Sequence, residues 1–302
     1  MTGKVEKILF ISLSCVGDAV MTTPVIQALH ALYPEARMDV VADKRSSLLF
    51  TKCSYIDKVV HKEKKKLFRG SLALLGELWK TRYDLIVDVR TDGLVYLLRG
   101  RKRFTKWHAH TYGEHAVERM MGVIHGLYGD KPIPPTQVWF GEEHDAFARE
   151  TLSGLPGGNW LAFAPAVALE AKLWPAEKYA ALADSLKDII TGVVLLGGPG
   201  EEPFARAVIE KLSLPYVDTV GSADLLQAAA ILKRAKMFVG SDSGLGHVAG
   251  GVGTPTLTFF SNDIPERCHP WGNKAVWLKG GNGIASEISV VDAEAKIREC
   301  LS

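Results

Sequence analysis

MFVGSDSGLGHVAGGVGTPTLTFF, residues 237–260, opens on an apolar run, crosses a glycine-rich segment and closes on a second run of β-branched and aromatic residues. Two short, near-continuously apolar strands joined by a helix-length segment are the pattern of a parallel β-α-β unit covered on both faces. The connecting stretch SDSGLGHVAGGVGTP (241–255) holds five glycines. At a strand-to-helix junction, glycines either turn and pack the chain or clear the way for an anion to reach unpaired backbone N–H groups. Gly244 and Gly246, beside Asp242, Ser243 and His247, are placed for a ligand such as a diphosphate. Gly250, Gly251 and Gly253 are placed for helix packing and for the turn before Thr254-Pro255.

The same grammar runs along the chain in two passes. KILFISL (7–13), MDVVAD (38–43), DKVVH (57–61) and YDLIVDV (83–89) read as strands. Between them, Thr23 as N-cap and Pro24 as first helical residue open VIQALHALYP, and SLALLGELWKT (71–81) has helical spacing. A second pass starts with WLAFAPA after the Gly/Pro-rich LSGLPGGN (152–159), which reads as the linker. Beyond it come a helix opened by Pro175, with Tyr179, Leu182 and Leu186 on one face, the strand VVLLG (193–197), the turn GGPGEE, and helices over 203–212 and 224–235. The fold class predicted is α/β: two doubly wound, Rossmann-like domains, 1–155 and 156–302, facing a central cleft.

Composition narrows the function. The 302-residue chain has 36 basic and 34 acidic residues, a balance that offers no bulk charge to a nucleic acid. Cys15, Cys53, Cys268 and Cys300 lie far apart without CxxC spacing, which signals neither a zinc site nor a disulfide framework and suits a reducing cytoplasm. No window is apolar for long enough to span a membrane, so any membrane contact is expected to be peripheral. SLSCVGDAV after the first strand is not the G-x-G-x-x-G of dinucleotide dehydrogenases, and no phosphate-binding GxxxxGK[ST] occurs.

Chemistry is expected in the loops at strand ends. Asp18 follows Gly17 there, either capping a helix or accepting a proton from an incoming hydroxyl. Lys172, in LEAKLWP, offers an ammonium to a phosphate or simply sits in solvent. Glu201 in GGPGEE can accept hydrogen bonds from ribose hydroxyls or cap the next helix. Lys62, Lys64, Lys65, Lys66 and Arg69 form one basic cluster, and Arg99, Arg101, Lys102, Arg103 and Lys106 another. Each is a solvated face or an anion-attracting rim.

Taken together, ISLSCVGDAVMTTPVIQALHALYPEA, AKLWPAEKYAALADSL, VVLLGGPGEE and FVGSDSGLGHVAGGVGTPTLTFF resemble glycosyltransferase family 9, the heptosyltransferases that use ADP-heptose to build the lipopolysaccharide inner core. The last carries the family's Asp-[Ser/Thr]-Gly-x-x-His pattern followed by Gly-x-Pro. The resemblance implies a GT-B architecture that binds acceptor mainly in the first domain and donor mainly in the second. It implies an inverting displacement with Asp18 as general base, Lys172 on the donor phosphates and Glu201 on the ribose. Ser243, Gly244 and His247 then meet the diphosphate and Asp242 the sugar, with no metal and no other cofactor. The acceptor implied is Kdo-lipid A or core oligosaccharide, whose phosphates and Kdo carboxylates would meet Lys62, Lys64, Lys65, Lys66 and Arg69. The place implied is the cytoplasmic, inner face of the inner membrane. Two segments depart from the family: Ala166-Val167-Ala168-Leu169, where Gly, Ser or Thr are usual, and Ser261-Asn262-Asp263 in place of Gly-Pro-Thr. They leave open a same-fold transferase for another nucleotide-sugar or acceptor, or an inactive nucleotide-sugar-binding protein. By fold analogy, the closing helix SVVDAEAKIRECLS is expected to pack back across the first domain.

Overall fold

The computed structural model describes residues 4–62, 69–91 and 93–301. The chain divides into two compact units between Trp139 and Phe140, and the described residues of each build one parallel sheet.

The first unit runs β1 (Lys7–Ile11), α1 (Val16–Met21), α2 (Thr23–Leu32), β2 (Arg37–Asp43), β3 (Ile56–Lys62), α3 (Arg69–Leu78), β4 (Tyr83–Asp88), β5 (Gly100–Thr105), α4 (Ala116–Gly122) and α5 (His125–Tyr128). Its strands lie in the order β3-β2-β1-β4-β5, every pair parallel. From β1 the chain builds outward through β2 to β3, then returns to place β4 on the other side, so the strand order reverses between β1 and β4. Ile8, Leu9 and Phe10 of β1 and Leu85, Ile86 and Val87 of β4 are buried, as strands covered on both faces must be. The predicted helix start at Thr23 shifts by one residue, because Thr22 separates α1 from α2 and is itself the N-cap position. Thr22 Oγ1 and Thr23 Oγ1 donate back to the carbonyls of Ala19 and Val20, each at 2.7 Å, the kind of side-chain bond that bends a helical run. The segment 14–19, expected as loop, is therefore partly helix, and Asp18 rides on α1.

The second unit runs α6 (Glu142–Leu152), β6 (Trp160–Ala164), α7 (Ala176–Ser185), β7 (Gly192–Leu195), α8 (Glu202–Ile209), β8 (Tyr216–Asp218), α9 (Leu225–Arg234), β9 (Met237–Ser241), α10 (Gly244–Gly251), β10 (Thr256–Phe260), α11 (Pro265–Cys268), β11 (Ala275–Lys279) and α12 (Val290–Leu301). The parallel order β11-β10-β9-β6-β7-β8 reverses between β6 and β9. At that seam Ala164 pairs with Gly240, where a Cβ would lie 2.9 Å from the Ala164 carbonyl oxygen, so only glycine lets the two strands close.

Two expectations about the domains differ from what the structure holds. The Gly/Pro stretch 152–159 lies inside the second unit: the Trp160 indole and the Thr191 hydroxyl both donate to the Pro156 carbonyl, at 3.0 and 2.6 Å. α6 precedes it and is fastened to α9 by Arg234, whose guanidinium sits 2.9 Å from Asp145 Oδ1. The closing helix α12 buries Ala293 and Ile297 in the core of the second unit, among Leu186, Ile190 and Leu257. Just before it, the Ile288 carbonyl accepts the Trp174 indole N–H at 3.0 Å.

Candidate active site

In doubly wound sheets ligands bind beyond the carboxyl ends of the strands where the order reverses. In the second unit those ends are Ala164 and Ser241. The chain after β6 returns over the seam in a short turn, Glu170–Lys172, where the Lys172 carbonyl accepts the Ser241 hydroxyl at 2.5 Å. This fixes the root of Lys172. Its ammonium then bridges Asp242 Oδ2 at 2.8 Å and Asp263 Oδ2 at 2.7 Å, joining the loops after β6, β9 and β10. Burial pulls the Lys172 pKa down, but its hydrogen bonds to Asp242 and Asp263 outweigh that and hold it above the ordinary lysine value. Lys172 is thus a permanent cation across the physiological range.

The N-terminus of α10 stands beside this cation. Ser243 is its N-cap in extended conformation and makes no side-chain cap bond, while its buried Oγ has no hydrogen-bond partner. A helix start left uncapped at a switch point offers N–H donors and a positive dipole end to an anion. His247 lies buried in the first turn of α10. The glycines divide differently from expectation. A Cβ on Gly246 would meet the Phe238 ring at 3.3 Å and Pro270 and Thr258 at 3.6 Å, so Gly246 serves packing rather than ligand approach. Gly250 packs against Pro270, and Gly253 has φ +84°, as expected for packing and turning. Glu201 folds over the loop after β7, its Oε2 accepting the Gly198 N–H at 2.7 Å. Glu201 holds the N-cap position of α8 but makes no side-chain cap bond, so its carboxylate does not take the helix-capping role weighed for it.

In the first unit the switch point lies between the ends of β1 and β4. Asp18 sits half-buried in the first turn of α1, whose N-cap is Cys15, so Asp18 is not the capping residue. After β4, Asp88 Oδ1 accepts the backbone N–H groups of Arg90 and Thr91 at 2.8 and 2.7 Å. That turn places Thr91 at φ +61°, a costly conformation for a β-branched side chain. It also directs Arg90 across the seam, where Nη1 donates to Ser14 Oγ at 2.6 Å. Sequence reasoning passed over Arg90; the signal was a lone cation directly after an apolar strand.

Lys62 ends β3, and Arg69 begins α3. Lys64, Lys65 and Lys66 lie outside the described residues. The second basic cluster is the edge strand β5, where Arg103 has a structural duty: its guanidinium donates to the carbonyls of Val95 and Leu98 at 3.0 and 2.6 Å. Among the described residues, no group of three or more His, Cys, Asp or Glu side chains is arranged to hold a metal ion.

Two parallel, doubly wound units, each with polar side chains gathered where its strand order reverses, make the architecture of the GT-B class. The sequence model of glycosyltransferase family 9 (heptosyltransferase) matches residues 93–297, and the chain belongs to that family. It is 27% identical over 306 residues to lipopolysaccharide heptosyltransferase 2 of Escherichia coli K12, covering 89% of this chain and 86% of that one. A solved family 9 glycosyltransferase from Veillonella parvula superposes with TM-score 0.89 at 20% identity, over 100% of this chain and 98% of that one. The E. coli heptosyltransferase WaaC, solved with ADP, gives TM-score 0.77 at 22% identity, over 97% and 99% of the two chains.

Proposed function

We propose that this glycosyltransferase moves heptose from ADP-heptose to the inner core of lipopolysaccharide by an inverting displacement, with the acceptor held mainly by the first unit and the donor mainly by the second. The observation that carries the reading is the meeting of Lys172, Asp242 and the uncapped α10 N-terminus at one switch point. That arrangement suits a sugar diphosphate: the ammonium and the N–H groups of Ser243 and Gly244 take the anionic oxygens, His247 adds a ring donor, and Asp242 reaches the sugar. Glu201, whose Oε2 accepts the Gly198 N–H, is assigned to the ribose hydroxyls. As the bond from the anomeric carbon to the diphosphate breaks, the negative charge moves onto ADP, where these fixed groups stabilise it. Asp18 takes the proton of the attacking acceptor hydroxyl. The ADP in the related WaaC structure supports the nucleotide named here.

Asp263 is the specific observation behind a second reading. It stands where the family pattern has a neutral residue and adds a second carboxylate to Lys172, so a same-fold transferase using another nucleotide-sugar is the alternative. Mass spectrometry of products from ADP-heptose and UDP-sugars with truncated lipopolysaccharide acceptors decides between them. A heptose added with release of ADP supports the first reading, a product from UDP-sugars alone the second, and ADP binding without product an inactive nucleotide-sugar-binding protein.

The lipid-anchored acceptor places the enzyme at the cytoplasmic face of the inner membrane, and among the described residues no helix is long and apolar enough to cross one. Lys62, Lys64, Lys65, Lys66 and Arg69 are assigned to the phosphates and carboxylates of that acceptor. Changing Lys64, Lys65 and Lys66 together to Ala should raise acceptor KM about tenfold at low ionic strength, with a difference that shrinks as salt is added and an unchanged donor KM. Equal salt dependence in variant and parent enzymes would remove these lysines from the acceptor site.

A further inference from the structure

We propose that α3 and the adjoining segment 94–107 of the first unit form a docking surface for a lipid bilayer with anionic headgroups. The partner is the membrane already invoked for the acceptor, but the surface is read from different residues and stands apart from the transfer chemistry. Leu72, Trp79, Tyr96, Leu97 and Trp107 are 64%, 50%, 47%, 57% and 61% exposed, half of the large hydrophobic side chains found at the surface among the described residues. Scattered single exposures are ordinary, whereas a gathering of large apolar side chains marks an interaction surface.

The gathering is built into the fold. Leu72 and Trp79 are seven residues apart on the helical run of α3, which the Trp79 N–H to Leu75 carbonyl bond continues at 2.8 Å. They therefore share a face, while Leu74 and Leu78 are buried in a core with Val95 and Leu98. That core binds α3 to the turn carrying Tyr96 and Leu97, and Arg103 fastens the turn from below through the Val95 and Leu98 carbonyls. Trp107 stacks on Tyr96 with ring centroids 5.6 Å apart and planes 10° from parallel, making a flat aromatic ledge beside Leu97.

Charge selects the occupant. On these stretches the exposed cations next to the apolar side chains in sequence are Lys80, Arg82, Arg99 and Lys106; Glu77 is neutralised by Lys58 at 2.6 Å, and Arg101 and Lys102 line a separate pocket with Glu35 and Asp84. Aromatic and leucine side chains among lysines and arginines match the interfacial zone of an anionic bilayer, where rings sit at headgroup level and each cation adds attraction. A partner protein or a second copy has no comparable need for lysines and arginines set directly beside the apolar side chains.

The test is co-sedimentation of the full chain with vesicles of phosphatidylcholine plus phosphatidylglycerol, and with phosphatidylcholine alone. Binding should favour the anionic vesicles and weaken with salt. Leu97→Glu with Trp107→Ser should lower it at least about tenfold, and Lys106→Glu about fivefold or more. Transfer to a water-soluble, acyl-free acceptor should stay at the parent level in both variants, which shows that they are folded and separates docking from catalysis. No preference for anionic vesicles in the parent chain overturns the proposal, as does unchanged binding in the double variant. Loss of self-association in the variants without loss of vesicle binding would instead assign the ledge to a second copy.

Discussion

Replacing Asp18 with Asn is expected to lower kcat by about a thousandfold, within the range that a positioned general base contributes, while leaving the affinity for ADP unchanged. The substitution keeps the shape of the side chain and removes only its ability to take a proton. The fold should scarcely register it. Asp18 is not the N-cap of α1, and a carboxylate in a first helical turn adds about 0.3–1 kcal/mol through the dipole. A thermal melt near that of the parent chain, alongside lost turnover, therefore identifies a chemical role. Activity within tenfold of the parent would remove Asp18 as the base and leave it a helix-start carboxylate. Absence of turnover in both forms, with ADP still bound, would make the chain a binder.

Most of the strands readable in the sequence were those buried on both faces, the edge strand β3 being read from its Val59-Val60 pair. β1, β4, β6, β7, β9 and β10 lie inside the sheets, and each appears as an apolar run because neither face meets water. The strands passed over, β5, β8 and β11, are all sheet edges. β5 spells GRKRFT, whose cationic residues discourage edge-to-edge pairing and hide the strand from any hydrophobic count. α6 was hidden in the same way: His144, Ala148 and Leu152 make a single buried stripe in an otherwise polar helix. Lys172, Asp242 and Ser243 were legible as loop residues after strands, and their meeting needed the β6–β9 reversal, which only the strand order supplies. Asp263 on Lys172 and Arg90 on Ser14 were not legible, since each pairing spans loops far apart in sequence.

Lys172→Ala is expected to lower kcat/KM by about a hundred- to a thousandfold, the usual loss when one fixed group stabilising developing charge is removed. Part of that loss has a second origin. Asp242 and Asp263 would lose their shared counterion and face the donor's diphosphate as uncompensated carboxylates. Adding Asp263→Asn to Lys172→Ala should therefore recover a measurable fraction of the lost donor affinity, because one repelling charge is gone. In the parent background Asp263→Asn leaves Lys172 with one carboxylate partner and more charge to offer the donor. If the double variant is no better than Lys172→Ala alone, Asp263 does not oppose the phosphates and its place on Lys172 is structural. The pH dependence sharpens the test. The folded pKa of Lys172 is raised, so its pairing stabilises the fold fully below the unfolded value of about 10.4 and is lost only as pH rises through the folded one. Between about pH 6 and 9 its charge is constant, and the ratio of parent to Lys172→Ala activity should stay flat over that window. A ratio that changes there would mean that the donor phosphates are held by a group that titrates, and Lys172 would not be that group.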